Sequence, residues 1–215
     1  KPVTRYFDRI TRPEQIIQSF PVAVQTMLDP ADCGPATISM SQDVQGETFD
    51  YPEIFFEEKV HEIRRIHPDP NQIKLAADKI KNSKQPIIIS GGGVLYSEAE
   101  AELSAFAKKH NIPVTATVMG IGCMKREDPY YISAIGCLGE GSSNSLSKDT
   151  DLAIAIGTKL ADFTTGSWTN FQNPNFGLVS INTSRFDTTK HRATPVVSDA
   201  KVGLIQLSEE LGDWK

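Results

Sequence analysis

The feature that most constrains the fold of this chain is the alternation of short apolar runs with amphipathic segments after residue 70. Five such runs are rich in small and β-branched side chains, at 85–90, 113–118, 151–157, 177–182 and 194–198. Continuous apolar runs of this length are typical of strands that are buried on both faces of a parallel sheet. At 215 residues the chain is also long enough for one large domain plus a piece of another.

Helical patterns separate these strands. One pattern begins near Pro70, and another covers residues 199–211. Between them, the sequence Ser97-Glu-Ala-Glu100 predicts a capping box that opens a helix through His110. The alternation of strands and helices predicts an α/β fold, a doubly wound and mainly parallel sheet with helices on both faces, of the Rossmann-like type.

The first seventy residues lack this alternation. They contain a helical pattern over 13–28, in which Pro21 should produce a kink, and a strand-like run over 35–40. The following segment, 41–69, is rich in aromatic and acidic residues without periodicity, which is the composition of a linker. We therefore expect a separate piece of structure before the regular α/β domain.

Charge and cysteine usage exclude several classes of protein. The net charge is -5, and no basic run is longer than Arg64-Arg65, so the electrostatic footprint of a nucleic-acid-binding protein is missing. No apolar stretch is long enough for a membrane span. Cys33, Cys123 and Cys137 form no CxxC pair, which argues against a disulfide framework and a zinc site and favours a cytoplasmic protein.

The sequence contains no recognisable catalytic constellation. Its four histidines lack metal-ligand spacing, and both the nucleophile-elbow and the P-loop motifs are absent. We therefore predict no catalytic and no metal-binding residue in this chain.

Two glycine-rich loops are the candidate ligand sites. Gly91, Gly92 and Gly93 follow a predicted strand and precede a helix, where a backbone turn can approach a phosphate. The dinucleotide fingerprint is incomplete, however, because its third glycine would fall at Tyr96 and no acidic residue ends the next strand at Gly120. The other interpretation is that these glycines only permit a tight turn.

The second loop runs from Gly136 to Asn144 and has the spacing G-x-x-G-x-G, which is compatible with an anion-binding nest or simply with a turn and a helix cap. Gly157-Thr158 also follows a strand, at the edge where open α/β sheets bind ligands. The candidate nucleotide-like pocket is therefore formed by six glycines: Gly91, Gly92, Gly93, Gly120, Gly139 and Gly141.

Taken in order, these segments resemble the thiamine-diphosphate enzymes related to acetolactate synthase. The resemblance rests on 34–38 and 42–44 for the end of a pyrimidine-binding domain, and on 85–94, 113–120, 151–157 and 198–200 for a central domain. Longer motifs resemble the branch that hydrolyses a carbon–carbon bond of a cyclic dione in inositol catabolism, at 46–53, 162–167 and 182–186.

The resemblance implies a piece of a longer, three-domain subunit. Residues 1–50 would be the C-terminal part of the pyrimidine-binding domain, 51–69 a linker and 70–213 the central domain. Thiamine diphosphate and magnesium would bind outside this chain, because the family's activating Glu belongs before it and the Gly-Asp-Gly motif after it. Gly212-Asp213-Trp214 does not match that motif.

The central domain would then be structural, with a vestigial nucleotide-like pocket, and the isolated chain would be inactive and bind no cofactor. Its partners would be the remaining domains and the neighbouring subunits of a homo-oligomer. One alternative is an acetolactate synthase-like enzyme whose central domain binds FAD or an adenine nucleotide. The others are an independent nucleotide-binding module and an interaction module.

Overall fold

The computed structural model describes residues 2–215, which divide into two compact units, one that ends at Arg64 and one that covers Arg65–Lys215. The boundary falls within the stretch 51–69. Among the helices of the described residues, none combines the length and the apolar character that crossing a bilayer requires.

The first unit is a single β-α-β arrangement. Its strands β1 (Tyr6–Ile10) and β2 (Ala36–Met40) pair in parallel, and helix α1 (Ile16–Met27) connects them and contacts both. A short helix, α2 (Gln42–Gln45), follows. Helix α1 continues through Pro21 without interruption, although the sequence suggests a kink or a break there.

The second unit is built on one sheet of six parallel strands, in the order β5-β4-β3-β6-β7-β8. The strands are β3 (Pro86–Ser90), β4 (Val114–Ala116), β5 (Tyr131–Ala134), β6 (Leu152–Ile156), β7 (Gly177–Asn182) and β8 (Thr194–Val197). The chain starts at the centre of the sheet, builds outwards to β5 and then returns to β6. The predicted doubly wound parallel sheet is thus confirmed.

Seven helices belong to this unit: α3 (Pro70–Lys81), α4 (Gly92–Tyr96), α5 (Glu100–His110), α6 (Gly141–Asp149), α7 (Asp162–Thr165), α8 (Arg185–Thr188) and α9 (Ala200–Leu211). The apolar faces of the three long helices α3, α5 and α9 form one hydrophobic cluster with the sheet. Helix α3 begins at Pro70, as the sequence predicts, and Asp69 is its N-cap.

The four central strands, β4, β3, β6 and β7, bury both faces, which explains their continuous apolar runs. On β3, Ile88 belongs to the cluster under the long helices, whereas Ile87 and Ile89 point into a second cluster that includes Leu160 and Phe171. Phe171 N–H donates to the Ser147 carbonyl of α6 at 3.1 Å, which ties this second layer to α6. Successive side chains of a strand alternate between faces, so one isoleucine run supplies both cores.

The predicted capping box at Ser97 is wrong. Helix α5 begins at Glu100 with Ala99 as its N-cap, and Ser97 instead ends α4. The chain turns through the left-handed region at Glu98 (φ 52°), a conformation that no helix can contain, so Ser97 and Glu100 cannot close the box. The Ser97 hydroxyl accepts a hydrogen bond from Ala200 N–H at 3.3 Å.

A charged anchor fixes the start of the second unit. Arg65 Nη1 donates to both carboxylate oxygens of Asp199, at 3.0 and 3.1 Å, and to the Ser97 carbonyl at 2.6 Å. The same Asp199 carboxylate caps α9 by accepting the N–H groups of Lys201 and Val202. Asp199 N–H in turn donates to the Ile66 carbonyl at 2.9 Å, so this segment is tied down from two sides.

Candidate functional site

The candidate site lies at the carboxyl edge of the six-stranded sheet, between β3 and β6. The crossover from β3 leads to β4 on one side, while β6 lies on the other, so this is the point where the strand order reverses. Open α/β sheets bind their ligands outside the carboxyl ends of the strands at such a point. Gly91–Gly93 follow β3 here, and Gly157 follows β6.

The backbones of these two loops touch. A Cβ atom at Gly93 would lie 2.6 Å from Gly157 Cα, and one at Gly91 would overlap the Gly157 carbonyl oxygen. Gly157 itself has φ +60°, in the region that glycine adopts most readily. The glycines are therefore required by the close approach of two stretches of main chain, whether or not a ligand binds nearby.

The amide groups of the first loop are largely engaged within the protein. Gly91 N–H donates to the Ile156 carbonyl at 2.8 Å, and Gly93 N–H donates to the Gly157 carbonyl at 2.9 Å. A phosphate-binding loop uses such amides for the ligand instead. This geometry favours a structural purpose for the two glycines.

The six glycines of the predicted pocket fall into two groups. Gly92 and Gly120 join Gly91 and Gly93 around the end of β3, because a Cβ at Gly120 would lie 3.0 Å from Gly91 Cα and one at Gly92 would lie 3.1 Å from the Met119 carbonyl. Gly139 and Gly141 are instead at the end of β5, two strands away.

At that second position, Gly139 packs against the end of β5, since its Cβ would lie 2.6 Å from the Ala134 carbonyl oxygen. Gly141 starts α6 and faces open space. The Ser143 hydroxyl donates to the carbonyls of Ala134 and Glu140. The Ser143 hydroxyl thus stabilises the turn after β5 and the first turn of α6.

A buried polar pair lies under the β3 loop. The Ser90 hydroxyl donates to the Thr115 carbonyl at 3.1 Å, and Cys123 Sγ lies 2.8 Å from Ser90 Oγ. Since the serine proton is already used, the thiol donates to Ser90 Oγ. Burial raises the pKa of the Cys123 thiol, so the group stays protonated and is a poor nucleophile.

The segment after β6 also lies at this edge, and its backbone is unusual in a way that the sequence motifs did not indicate. Four of its residues have positive φ without being glycine, namely Leu160, Ser167, Trp168 and Phe171. The Trp168 ring packs edge-on against the His191 ring, with 4.6 Å between their centres. The sequence signal was the aromatic content of the segment, which does not reveal the strained backbone.

The described residues offer no metal centre. Within 2–215, no group of three or more His, Cys, Asp and Glu side chains is placed to hold a metal ion. The glycine loops of the site therefore provide close main-chain packing, and the absence of catalytic residues stays a prediction.

Comparison with known proteins identifies the family. The family model described as the central domain of thiamine pyrophosphate enzymes matches residues 73–207. This chain belongs to the thiamine pyrophosphate enzymes. The resemblance found from the sequence motifs is confirmed, and the six-stranded sheet of the second unit corresponds to the matched domain.

Several curated relatives with similar sequences carry one name. A 3D-(3,5/4)-trihydroxycyclohexane-1,2-dione hydrolase of Clostridium botulinum is 45% identical over 201 residues, which is 94% of this chain and 31% of that protein. The protein of the same name from Halalkalibacterium halodurans is 45% identical over 215 residues, 100% of this chain and 34% of its own length. The chain thus spans about a third of the curated relatives it matches.

Solved structures agree on the fold. The benzoylformate decarboxylase of Polynucleobacter necessarius superimposes with a TM-score of 0.77 at 22% identity, covering 100% of this chain and 40% of that protein. At this level of identity the likeness concerns the fold alone.

Proposed function

We propose that this chain is part of an enzyme that opens 3D-(3,5/4)-trihydroxycyclohexane-1,2-dione by hydrolysing a carbon–carbon bond. The observation that carries the proposal is the identity of 41% to 45% with hydrolases of that name over almost the entire chain. Similarity to the longer motifs of the inositol branch supports the same substrate. The parent would be a homo-oligomer in the cytoplasm. The three unpaired cysteines fit the cytoplasmic location.

The proposed division is 1–50 for the end of the pyrimidine-binding domain, 51–69 for a linker and 70–213 for the central domain. The family match over 73–207 and the boundary between Arg64 and Arg65 support it. The first unit is also too small for a complete α/β domain. Parallel sheets are normally covered on both faces, yet of the residues in β1 and β2 only Ile10 is buried.

Magnesium needs several oxygen ligands, and among residues 2–215 no group of three or more His, Cys, Asp and Glu side chains is placed to hold a metal ion. This arrangement does not fit the magnesium that would anchor thiamine diphosphate. We therefore propose that the cofactor and its metal are bound by the rest of the enzyme, and we derive no catalytic step from this chain. Its contribution is to hold and space the catalytic domains.

For Gly91, Gly92, Gly93 and Gly120 we propose a vestigial nucleotide-like pocket whose crevice is filled by the protein's own backbone. Gly139 and Gly141, which lie two strands away at the end of β5, do not share that crevice. The contact between Gly93 and Gly157 supports this interpretation. The alternative, an acetolactate synthase-like enzyme with FAD or an adenine nucleotide in this domain, is favoured by the position of the loop at the reversal of strand order.

A domain exchange tests the proposal. The matching third of the Halalkalibacterium halodurans hydrolase is replaced by this chain, and dione hydrolysis is measured with thiamine diphosphate and magnesium. A matched control carries the equivalent segment of the benzoylformate decarboxylase, which shares the fold at 22% identity.

We expect the first exchange to retain dione hydrolysis within about tenfold of the parent, a difference of about 1.4 kcal/mol in the activation barrier, and the control to lose it. Circular dichroism and thermal unfolding establish that each protein is folded. A folded exchange protein that contains this chain, binds the cofactor and does not open the dione would overturn the proposal.

A further inference from the structure

A polar cavity opens at the amino edge of the six-stranded sheet, where β3, β6 and β7 begin, and so at the opposite edge from the glycine loops. Its volume is about 630 Å³, which is within the range of small-molecule sites. The side chains that decide its chemistry are those of Lys79, Lys84, Gln85, Asp151, Asn173 and Asn175. All six lie between residues 73 and 207, so the matched domain builds the cavity by itself.

The carboxylate of the cavity, that of Asp151, is committed to the protein. Its two oxygens accept the backbone N–H groups of Lys84 at 2.7 Å and of Gln85 at 2.9 Å. These bonds join the start of β6 to the start of β3 and stabilise the negative charge. Asp151 is therefore a fixed part of the cavity wall.

The end of helix α3 also contributes to the wall, and its carbonyl groups are capped. Asn82 donates to the Asp78 carbonyl from its backbone N–H at 3.2 Å and from Nδ2 at 2.7 Å. Ser83 donates to the Ile80 carbonyl from its N–H at 3.0 Å and from its hydroxyl at 2.7 Å. Carbonyls at the C-terminal end of a helix attract nearby lysines, but these two are already occupied by protein donors.

The ammonium group of Lys79 is placed over the first residue of β7. A Cβ at Gly177 would lie 2.9 Å from Lys79 Cε and 3.5 Å from its Nζ, so the partly buried lysine crosses this glycine. Of the ion pairs formed among residues 2–215, none contains Lys79, Lys84 or Asp151. Two lysines and one aspartate give the lining a net charge of +1. This charge favours an anionic ligand.

The rest of the lining favours an anion that also carries hydroxyl groups. Ammonium groups bind carboxylates through charge-assisted hydrogen bonds. The side-chain amides of Gln85 and Asn175 both donate and accept, as a hydroxyl group requires. The Asn175 N–H donates to Asn173 Oδ1 at 2.9 Å, which fixes the position of this loop. Among the described residues, no aromatic ring lines the cavity, so a nucleotide base would find no stacking partner.

We propose that this cavity binds a small hydroxylated carboxylate. Which compound fills it rests on the proposed function. When water hydrolyses a carbon–carbon bond beside a ring ketone, the carbonyl carbon takes the hydroxide and becomes a carboxylic acid, and the other carbon takes the proton. The trihydroxy dione would thus give an open-chain carboxylate that keeps its hydroxyl groups, and the cavity would bind this product.

Backbone amide chemical shifts of the isolated chain report both binding and its location. The probe is D-gluconate, an open-chain hydroxylated carboxylate, and D-sorbitol is its uncharged counterpart. We expect gluconate to bind with a dissociation constant on the order of 1 mM, as for a ligand of this size. It should shift the amides of Lys84, Gln85 and Gly177 and leave those of Gly91 and Gly93 unchanged. Equal binding of sorbitol, or shifts at the glycine loops instead, would overturn the proposal.

Lys79→Met removes the positive charge but keeps a long stem over Gly177. It should weaken gluconate binding by at least about tenfold, the loss of one charge-assisted hydrogen bond. Lys74→Met is the matched control, because Lys74 is also on α3 but does not line the cavity, and it should leave binding unchanged. A folded Lys79→Met chain that binds gluconate as tightly as the parent chain contradicts the proposal.

The longer polypeptide that contains these 215 residues provides the second measurement. Saturation transfer to gluconate should be observed there and should decrease in the Lys79→Met variant, which assigns the bound gluconate to this cavity. Absence of that decrease, or displacement of gluconate by an equal concentration of inorganic phosphate, would overturn the proposal. Because binding and not turnover is measured, this outcome is distinct from a failure of the proposed hydrolase activity.

Discussion

Substitution of Gly93 by alanine tests whether the crevice between β3 and β6 is closed by main-chain contact. The new Cβ would lie 2.6 Å from Gly157 Cα and 3.0 Å from the Gly157 carbonyl oxygen, so the loops must separate. Overpacking of this kind costs about 1–3 kcal/mol. Weakening the Gly93–Gly157 hydrogen bond adds about 1 kcal/mol, and the helical preference of alanine returns up to about 1 kcal/mol.

We therefore expect Gly93→Ala to lower the free energy of unfolding of the second unit by about 1–3 kcal/mol. Gly141→Ala is the matched control, because a Cβ there meets no atom within 4 Å and the residue lies in the first turn of α6. The assay is urea unfolding followed by circular dichroism. Equal unfolding midpoints for Gly93→Ala and the parent chain would refute the packing argument.

Three further predictions follow from the described contacts. Asp199→Ala should cost about 1–2 kcal/mol in urea unfolding, because it removes the cap of α9 and one of the two carboxylates paired with the partly exposed Arg65, whereas Asp199→Asn keeps a capping side chain and should cost less. Burial lowers the pKa of His110 in the folded state. Its contribution to the free energy of unfolding is therefore complete above the pKa of the unfolded chain, near 6.5, and is lost as the pH falls from there through the lowered folded pKa. His110→Gln should make the urea midpoint depend less on pH between about pH 8 and pH 5.5. Titration calorimetry with NAD, FAD and ADP should give dissociation constants of about 1 mM or weaker, and micromolar binding would show that the pocket is functional.

The strands with the strongest sequence signal are the ones buried on both faces, although the partly exposed β2 and β8 were also predicted. β3 and β6 are continuous apolar runs, and their burial between two helical layers leaves the pattern no other explanation. β1 and β5 were not predicted. β1 contains Asp8 and Arg9 and is partly exposed, and β5 contains only four residues with one large aliphatic side chain. Short edge strands carry little hydrophobic signal.

The candidate site was predictable in its position but not in its packing. The glycines after β3 mark the carboxyl edge of a strand in the sequence itself. Which main chain they approach depends on β6 lying beside β3, and Gly157 is more than sixty residues away in the sequence. The capping box was predicted wrongly because the sequence pattern from Ser97 to Glu100 does not reveal the left-handed turn at Glu98.

The most direct test of the central claim is an assay of the longer polypeptide that contains these 215 residues, alongside the isolated chain. Both are given the dione and, separately, pyruvate, with thiamine diphosphate and magnesium. The longer polypeptide should hydrolyse the dione and form no acetolactate, and the isolated chain should do neither. Acetolactate formation from pyruvate by the longer polypeptide without dione hydrolysis, or cofactor-dependent turnover by the isolated chain, would contradict the account.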